Sequence, residues 1–567
     1  MSITRVVVVE HDFGTSSSRR AFAQATPPLR TELSSAMEDV HLSSSSSKRI
    51  WVKYGDGRPV KVAFDGSDVD DLKEAIKKKL SPDLDDVAVS RITLRKHGKE
   101  EDLDPGLVID DNFKNTSKTS LQLIINAPAS NKRKLSPHSQ YMEDLKCIKM
   151  DELFWNHQPP SAQGIPTELL HSVFGQFLDD CTAIQPEFQD VQFTYEFSAE
   201  MSRYFCTEGA RAASFRDLFK KHFDIDLCCV ELSASDDKNN KLRTDSTLYE
   251  GKFMVINVEV KSELCTGTSN PYIQNIAYYK EYLLKNSNIT KMTRLPCFLI
   301  VVSGPLFSIS TAIYGEKVTV DPYPYVLSLD CSLYHYMSLT HVFCALRNAL
   351  KALQQYYIMP PLIEPDQQPF PYIDSFLFDD EVCVYFKYQT RLNPLVFVVQ
   401  VVKDAPENFP EYVVVKFTHC YDKNIHQAFA KLKIAPQLYG FEHLPGGWKM
   451  VVMAFVGYDF KILLECEKNQ YIKQAVEEMA MKMHGEGLVH GDLHDWNILC
   501  CYNDNDNSAD IFFVDLDWAG QEGTVQYPLN INPDITRHHE ATAGSLIHKE
   551  HDLYLLQEIF KTCRSCK

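Results

Sequence analysis

The stretch Thr244–Lys261, TDSTLYEGKFMVINVEVK, constrains the chain most, because an apolar run from Phe253 to Val258 leads straight into Glu259-Val260-Lys261. Alternate residues of a strand share a face, so Glu259 and Lys261 project to one side and Val260 to the other. A turn signalled by Glu250-Gly251 lets a hairpin bring Asp245 beside them. Two carboxylates with a lysine suit a hard divalent cation, leaving the ammonium for a phosphate or an attacking water. A surface hairpin with an ordinary Glu–Lys pair fits the same pattern.

A break at Gly267, Asn270 and Pro271 follows, and then Tyr272-Ile-Gln274-Asn-Ile-Ala-Tyr278-Tyr279-Lys280. Gln274 and Tyr278 are four apart and share one helix face. An acid, a strand with E-x-K and a helix with Q-x-x-x-Y, in that order, resemble the PD-(D/E)xK nuclease superfamily. Its initial acidic helix has a counterpart from Thr167-Glu168 to Leu178, with Glu187, Glu196 and Glu200 competing for the place of Glu168. The resemblance implies that Asp245 and Glu259 bind magnesium, with the Val260 carbonyl as a further ligand. It implies that Lys261 orients or activates the water attacking a phosphodiester. Gln274 and Tyr278 then position substrate, and Glu168 completes the metal shell.

A chain of 567 residues, 44% hydrophobic and 24% charged, is expected to form three or four globular domains. No apolar run reaches the roughly eighteen residues of a membrane span. Sixteen scattered cysteines, with adjacent pairs at Cys228-Cys229 and Cys500-Cys501, point to reduced thiols in a cytosolic or nuclear setting. The terminal Cys563-Arg-Ser-Cys566 stands alone and is not expected to bind metal. A net charge of −18 argues against a simple nucleic-acid coat. Residues 201–300 escape that acidity, with 14 Lys and Arg against 12 Asp and Glu, which permits DNA binding there.

Residues 1–48 open with a short apolar Val6–Val9 stretch and end in the Ser43–Ser47 tract, which reads as linker-like and disordered. Residues 49–127 read as a small α+β unit. Arg49–Tyr54 and Val60–Phe64 flank a Gly55-Asp56-Gly57 turn. Val69, Leu72, Ile76 and Leu80 then recur at helical spacing, with acids early and lysines late. Ile92–Arg95 and Leu121–Ile125 read as two later strands. The order resembles a ubiquitin-like β-grasp domain, and a small α+β domain without that kinship fits as well. Residues 128–150 read as a basic linker in which Lys132-Arg133-Lys134 serves either nuclear import or solvation. The nuclease-like part is expected over 151–355, with Cys297–Ser303 as a buried strand and Leu339–Leu353 as a helix. Met359-Pro360-Pro361 marks the next boundary.

Residues 356–567 carry a second constellation. Lys416 lies in the strand-like Val413-Val-Val-Lys-Phe. Val489-His490-Gly491-Asp492-Leu-His494-Asp495-Trp-Asn497 follows, and Phe512-Phe-Val-Asp515-Leu-Asp517 ends a strand in acids. A phosphotransferase needs a lysine on the phosphates, an acid at the nucleophile, and Asn and Asp for magnesium. The order resembles a truncated protein-kinase-like fold. It implies that Lys416 pairs with the phosphates of Mg-ATP, that Asp492 is the catalytic acid, and that Asn497 and Asp515 are the metal ligands. The sequence departs from the pattern: no glycine lies in Lys387–Pro394, only Asp422 or His426 is available as the helix acid, and Asp517 holds a glycine position. An active phosphotransferase and a regulatory or protein-binding fold both stay open.

A ubiquitin-like module, a basic linker, a restriction-enzyme-like domain and a kinase-like domain together resemble the Crinkler effectors of oomycetes and fungi. That resemblance implies multidomain α+β and α/β architecture, secretion, and action in the host cell nucleus. The activity it implies is a magnesium-dependent DNase on double-stranded host DNA, regulated or positioned by the kinase-like domain, with host nuclear proteins as further partners. Ile92–Lys96 and Leu121–Pro128 are only loose counterparts of that family's translocation motifs. The alternatives are an atypical protein kinase effector and an interaction effector with both sites silent.

Overall fold

The computed structural model describes residues 48–125 and 153–561, apart from most of 81–91, the stretches 55–57, 156–163, 234–240 and 264–269, and a few shorter breaks. The Val6–Val9 and Ser43–Ser47 stretches, the Lys132-Arg133-Lys134 run, Gly267 and the Cys563/Cys566 pair lie outside them. The chain divides into two compact units, Met1–Arg133 and Lys134–Lys567.

In the first unit, β1 (Lys48–Tyr54) and β2 (Val60–Phe64) pair as an antiparallel hairpin. After α1 (Val69–Lys79), β3 (Ile92–Arg95) and β4 (Leu121–Ile125) complete a four-stranded sheet in the order β2-β1-β4-β3, with β4 parallel to β1. Alternation puts Ile50, Val52, Val62, Phe64, Leu121 and Leu123 on the face that Val69, Leu72 and Ile76 of α1 cover. Asp68 and Asp71 start the helix as a reciprocal capping box, and Lys77–Lys79 complement the dipole at its end.

The second unit opens with β5 (Leu153–Trp155), a helical turn at Thr167–Leu170, and three helices: α2 (Ser172–Ala183), α3 (Phe188–Met201) and α4 (Glu208–Phe223). Phenylalanines at helical spacing, among them Phe193, Phe197, Phe215 and Phe219, are fully buried and pack ring against ring. The small ribbon β6 (Glu231–Ser233) and β7 (Lys241–Arg243) leads into β8 (Ser246–Glu250), β9 (Phe253–Lys261), α5 (Pro271–Lys285) and β10 (Cys297–Ser303). The strands β11 (Leu306–Tyr314), β12 (Val318–Pro322) and β13 (Leu327–Ser328) follow. They form a mixed seven-stranded sheet in the order β5-β12-β11-β10-β9-β8, with β13 on β11. The hairpin β8–β9 is antiparallel, whereas β9 and β10 run parallel across the α5 crossover. Every residue of β9 is buried, which is why it reads as an apolar run rather than an alternation.

Helix α6 (Leu333–Ile358) extends beyond the expected Leu339–Leu353 at both ends and stops before Met359-Pro360, so the expected 355/356 boundary falls inside its last turn. Beyond it, β14 (Ser375–Phe378), β15 (Val382–Asn393), β16 (Val396–Lys403), β17 (Tyr412–Thr418), α7 (Lys423–Lys431), β18 (Leu438–His443) and β19 (Lys449–Ala454) follow. The strands make a six-stranded antiparallel sheet in the order β14-β15-β16-β17-β19-β18. Next come β20 (Lys461–Ile462), α8 (Gln470–Gly485), β21 (Leu488–Val489), β22 (Ile498–Asn503), β23 (Ser508–Phe513), β24 (Gly520–Gln521) and α9 (Lys549–Lys561).

The mixed and antiparallel sheets share one apolar core, which runs from Phe174, Phe177 and Phe298 to Phe376, Tyr388 and Phe397. Two polar devices reinforce it. The buried Arg294 guanidinium donates to the carbonyls of Leu170, Gln367 and Phe370, which ties the proline-rich connection to the first helical turn. Gly446 N–H donates to Asp179 Oδ2 at 3.0 Å. Gly175 on α2 lets the Pro445 turn approach so closely that a Cβ there would lie 2.7 Å from the Pro445 carbonyl. Gly175→Ala therefore overpacks this seam and should lower unfolding stability by about 1–3 kcal/mol. Gly209→Ala, where nothing lies within 4 Å, should leave the urea midpoint unchanged or raise it.

Candidate functional site

Two polar constellations lie in the second unit. The first is built on β9, where the strand period of two puts Glu259 and Lys261 side by side, with Lys261 Nζ 2.7 Å from Glu259 Oε1. The β8–β9 hairpin brings Asp245 to them, and its Oδ2 accepts the Val260 N–H at 2.8 Å. Arg216 steadies that corner by donating to the Asp245 carbonyl at 2.7 Å. Burial, reinforced by Asp245, raises the Glu259 carboxyl to about 8, and its second oxygen, Oε2, is buried without a hydrogen-bond partner among the described residues. Burial raises Asp245 too, against the pull of the Val260 N–H. Burial alone would lower Lys261, but the Glu259, Glu208 and Asp245 carboxylates hold it above the ordinary lysine value.

Glu168 does not join this group. It sits at the opposite part of the sheet, near Asp321 of β12 and the Gly446 turn, where burial and then the Asp321 charge raise it to about 8. The cause is the sheet order: β12 is separated from β9 by two strands. The helix acid that reaches the site is Glu208, whose Oε1 lies 3.8 Å from Lys261 Nζ. Its signal was present as the Thr207 cap followed by an acid in the first turn of α4. The competitors are committed elsewhere. Glu196 pairs with Lys221 and His222, Glu200 with Arg203, and Glu187 caps α3. On α5, Gln274 Nε2 donates to Tyr278 Oη at 2.7 Å, and the Tyr278 ring packs with Leu232 of β6.

The second constellation hangs between the antiparallel sheet and the segments after it. Lys416, buried on β17, is bonded to both Asp515 and Asp517, and Thr418 Oγ1 donates to Asp517 Oδ2 at 3.0 Å. Asp515 takes up the left-handed conformation, φ 64°, where the chain leaves β23. Burial opposes the charge on Lys416, yet the two aspartates hold its ammonium above the ordinary value. Neither Asp422 nor His426 stands in as a helix acid on Lys416. Asp422 caps α7, while His426 meets Tyr421 Oη and the Pro436 carbonyl, each at 2.8 Å. Asp517 takes that partnership instead.

The His490–Asn497 loop is anchored from behind. The fully buried Asp552 carboxylate of α9 accepts the His490 and Gly491 N–H groups, both at 2.9 Å. His490 Nε2 lies 3.0 Å from the Val514 carbonyl. Asn497 Nδ2 donates to the Asp492 carbonyl at 2.9 Å, so Asn497 and Asp492 are brought together. Burial would raise Asp492, but His494 and Arg537 beside it keep its carboxyl below the ordinary value.

The RIO domain family matches residues 447–516, the stretch that carries Asp492, Asn497 and Asp515. This region is protein-kinase-like, and the whole is a multidomain α+β chain. A domain of unknown function, DUF8733, matches residues 48–127. Among solved structures the chain is similar to the kinase PK-1 of Cydia pomonella granulovirus, at 12% identity and TM-score 0.26 over 32% of this chain and 69% of that one. It is similar to vaccinia related kinase 3 at 15% identity and TM-score 0.25, over 33% of this chain and 65% of that one. The BubR1 kinase domain matches at 13% identity and TM-score 0.24, over 34% of this chain and 65% of that one. No curated protein matches the chain.

Glu259 supplies a pH test. Its folded carboxyl holds a proton up to about 8 while the unfolded one releases it near 4.5, so the folded state binds more protons between those values. Stability must then fall as pH rises through that window. In chelator, Glu259→Gln should show a flatter decline of urea midpoint from pH 5 to 8 than the wild type.

Proposed function

We propose that the kinase-like region is an atypical phosphotransferase that moves the γ-phosphoryl group of a nucleoside triphosphate to a hydroxyl acceptor. One observation carries the reading: Lys416 meets Asp515, and Asp492 meets Asn497, although Lys416 and Asp515 are 99 residues apart. His494 and Arg537 keep Asp492 ionised, so its carboxylate can orient the acceptor hydroxyl and take its proton as the new O–P bond forms. Magnesium, where bound, would neutralise phosphate charge. Asn497 and Asp515 would hold it, since both offer hard oxygen donors and the Asn497 amide nitrogen is spent on Asp492. Lys416 would leave its aspartates for phosphate oxygens. Full-length protein with Mg-ATP should release ADP, and Asp492→Asn should reduce that rate by about 10²–10⁴-fold. Wild-type protein that neither binds nor turns over nucleotide would sink the reading.

A second activity, favoured by the Asp245–Glu259–Lys261–Glu208 cluster, is metal-dependent hydrolysis of phosphodiesters. Glu259, whose Oε2 is buried and unbonded among the described residues, and Asp245 would be the two carboxylates that hold the cation. Lys261 would orient the attacking water, and Gln274 and Tyr278 would position the strand. With the hairpin–helix–strand unit at 48–125, this reading extends to a Crinkler-like effector. Such a protein carries a ubiquitin-like module, is secreted, and acts on double-stranded DNA in a host nucleus under control of its kinase-like region. Supercoiled plasmid with magnesium should be relaxed or linearised by wild type, but not with chelator and not by Glu259→Ala/Lys261→Ala. Intact plasmid throughout, with folded protein, removes the nuclease.

A further inference from the structure

Asp492 carries a second cation from far along the chain. Arg537 Nη2 lies 2.6 Å from Asp492 Oδ1, across 45 residues. The segment that delivers it is pinned at its base by the Gln526↔Leu546 bridge and by Tyr527 N–H donating to the Ser545 carbonyl at 3.0 Å. The guanidinium lies over the Trp518 ring at 5.2 Å, and the side chain is 6% exposed. Only one nitrogen is used on Asp492; Nε and Nη1 are buried and have no acceptor among the described residues.

That arrangement is incomplete as a structural ion pair. A guanidinium offers five N–H donors in a fixed fork, and buried donors without acceptors are costly. Arg–carboxylate contacts are frequently bidentate, with the fork on both carboxylate oxygens. Here Asp492 Oδ2 instead faces Asn497 at 3.3 Å and His494 at 3.4 Å. Lys416 is bonded to Asp515 and Asp517, whereas Arg537 is in direct contact with the acid that meets the acceptor. What its remaining donors lack is an oxyanion, and in a water-poor site such donors act strongly on developing charge.

Resting on the phosphotransfer reading above, we propose that Arg537 is a catalytic residue that receives the γ-phosphoryl oxygens on Nε and Nη1. In the step it serves, the acceptor oxygen attacks the γ-phosphorus and a new O–P bond forms. The bond from phosphorus to the β,γ-bridging oxygen breaks, and the nucleoside diphosphate leaves with that electron pair. The acceptor's proton passes to Asp492. Arg537 holds the Asp492 carboxylate with one nitrogen and the transferring group with the others, which fixes their separation.

The test uses full-length wild type, Arg537→Gln, Arg537→Lys and Arg537→Ala, with Mg-ADP and with Mg-ADP plus aluminium fluoride as a mimic of the transferring phosphoryl. Arg537→Gln should bind ADP within about two-fold of wild type. It should lose about 10–100-fold in affinity for the fluoride complex and about 10²–10³-fold in kcat. Free guanidinium should restore part of the turnover of Arg537→Ala, and Arg537→Lys should fall between wild type and Arg537→Gln. Parallel loss of ADP and fluoride-complex affinity would reduce Arg537 to a structural prop and overturn the proposal. Unchanged or raised turnover in Arg537→Gln would overturn it as well, while leaving the phosphotransfer reading intact. A wild type that binds no nucleotide at all would remove both.

Discussion

Both constellations rest on ionisable groups taken out of water and held by their own neighbours. Burying a carboxylate or an ammonium costs several kcal/mol per ion unless opposite charge and hydrogen bonds offset it. Glu259 and Lys261 sit on a strand buried along its whole length, and Lys416 lies equally deep between two aspartates. Glu259 Oε2 and the Nε and Nη1 of Arg537 are among the buried polar atoms that find no hydrogen-bond partner among the described residues.

The scaffold makes such burial affordable because one core supports both sheets. Residues from Phe174 to Phe397 form a contiguous apolar cluster, and its seam is closed by backbone contact at Gly175 and Pro445. Arg294 donates to carbonyls on both sides of the proline-rich connection. Glu168, conspicuous in sequence, lies near that seam: the Gly446 turn and Asp321 surround it.

The kinase-like region solves its departures from the usual pattern with residues drawn from elsewhere. With no acid on α7, Asp517 joins Asp515 on Lys416, and the position that lacks a glycine carries a carboxylate bonded to that lysine. Asp552, 62 residues from His490, accepts the two loop N–H groups that set the direction of Asp492. Both sets of contacts are long-range in sequence, so the region depends on tertiary closure.

Short-range periodicity was legible in the chain. The period of two that joins Glu259 to Lys261, the four-residue spacing of Gln274 and Tyr278, and the His490–Asn497 loop all follow from local backbone geometry. The helix and strands of the first unit were legible for the same reason, since one face of each is apolar. Glu208, Asp517 and Arg537 were not, because their partners lie far away in sequence and only sheet order and loop closure decide which acid or cation arrives. Glu168 and Glu208 are both first-turn helix acids; the fold separates one from β9 by two strands and sets the other 3.8 Å from Lys261. Sequence by itself determined which side chains share a face, and the tertiary structure decided which faces meet, because burial and strand pairing are settled by the chain as a whole.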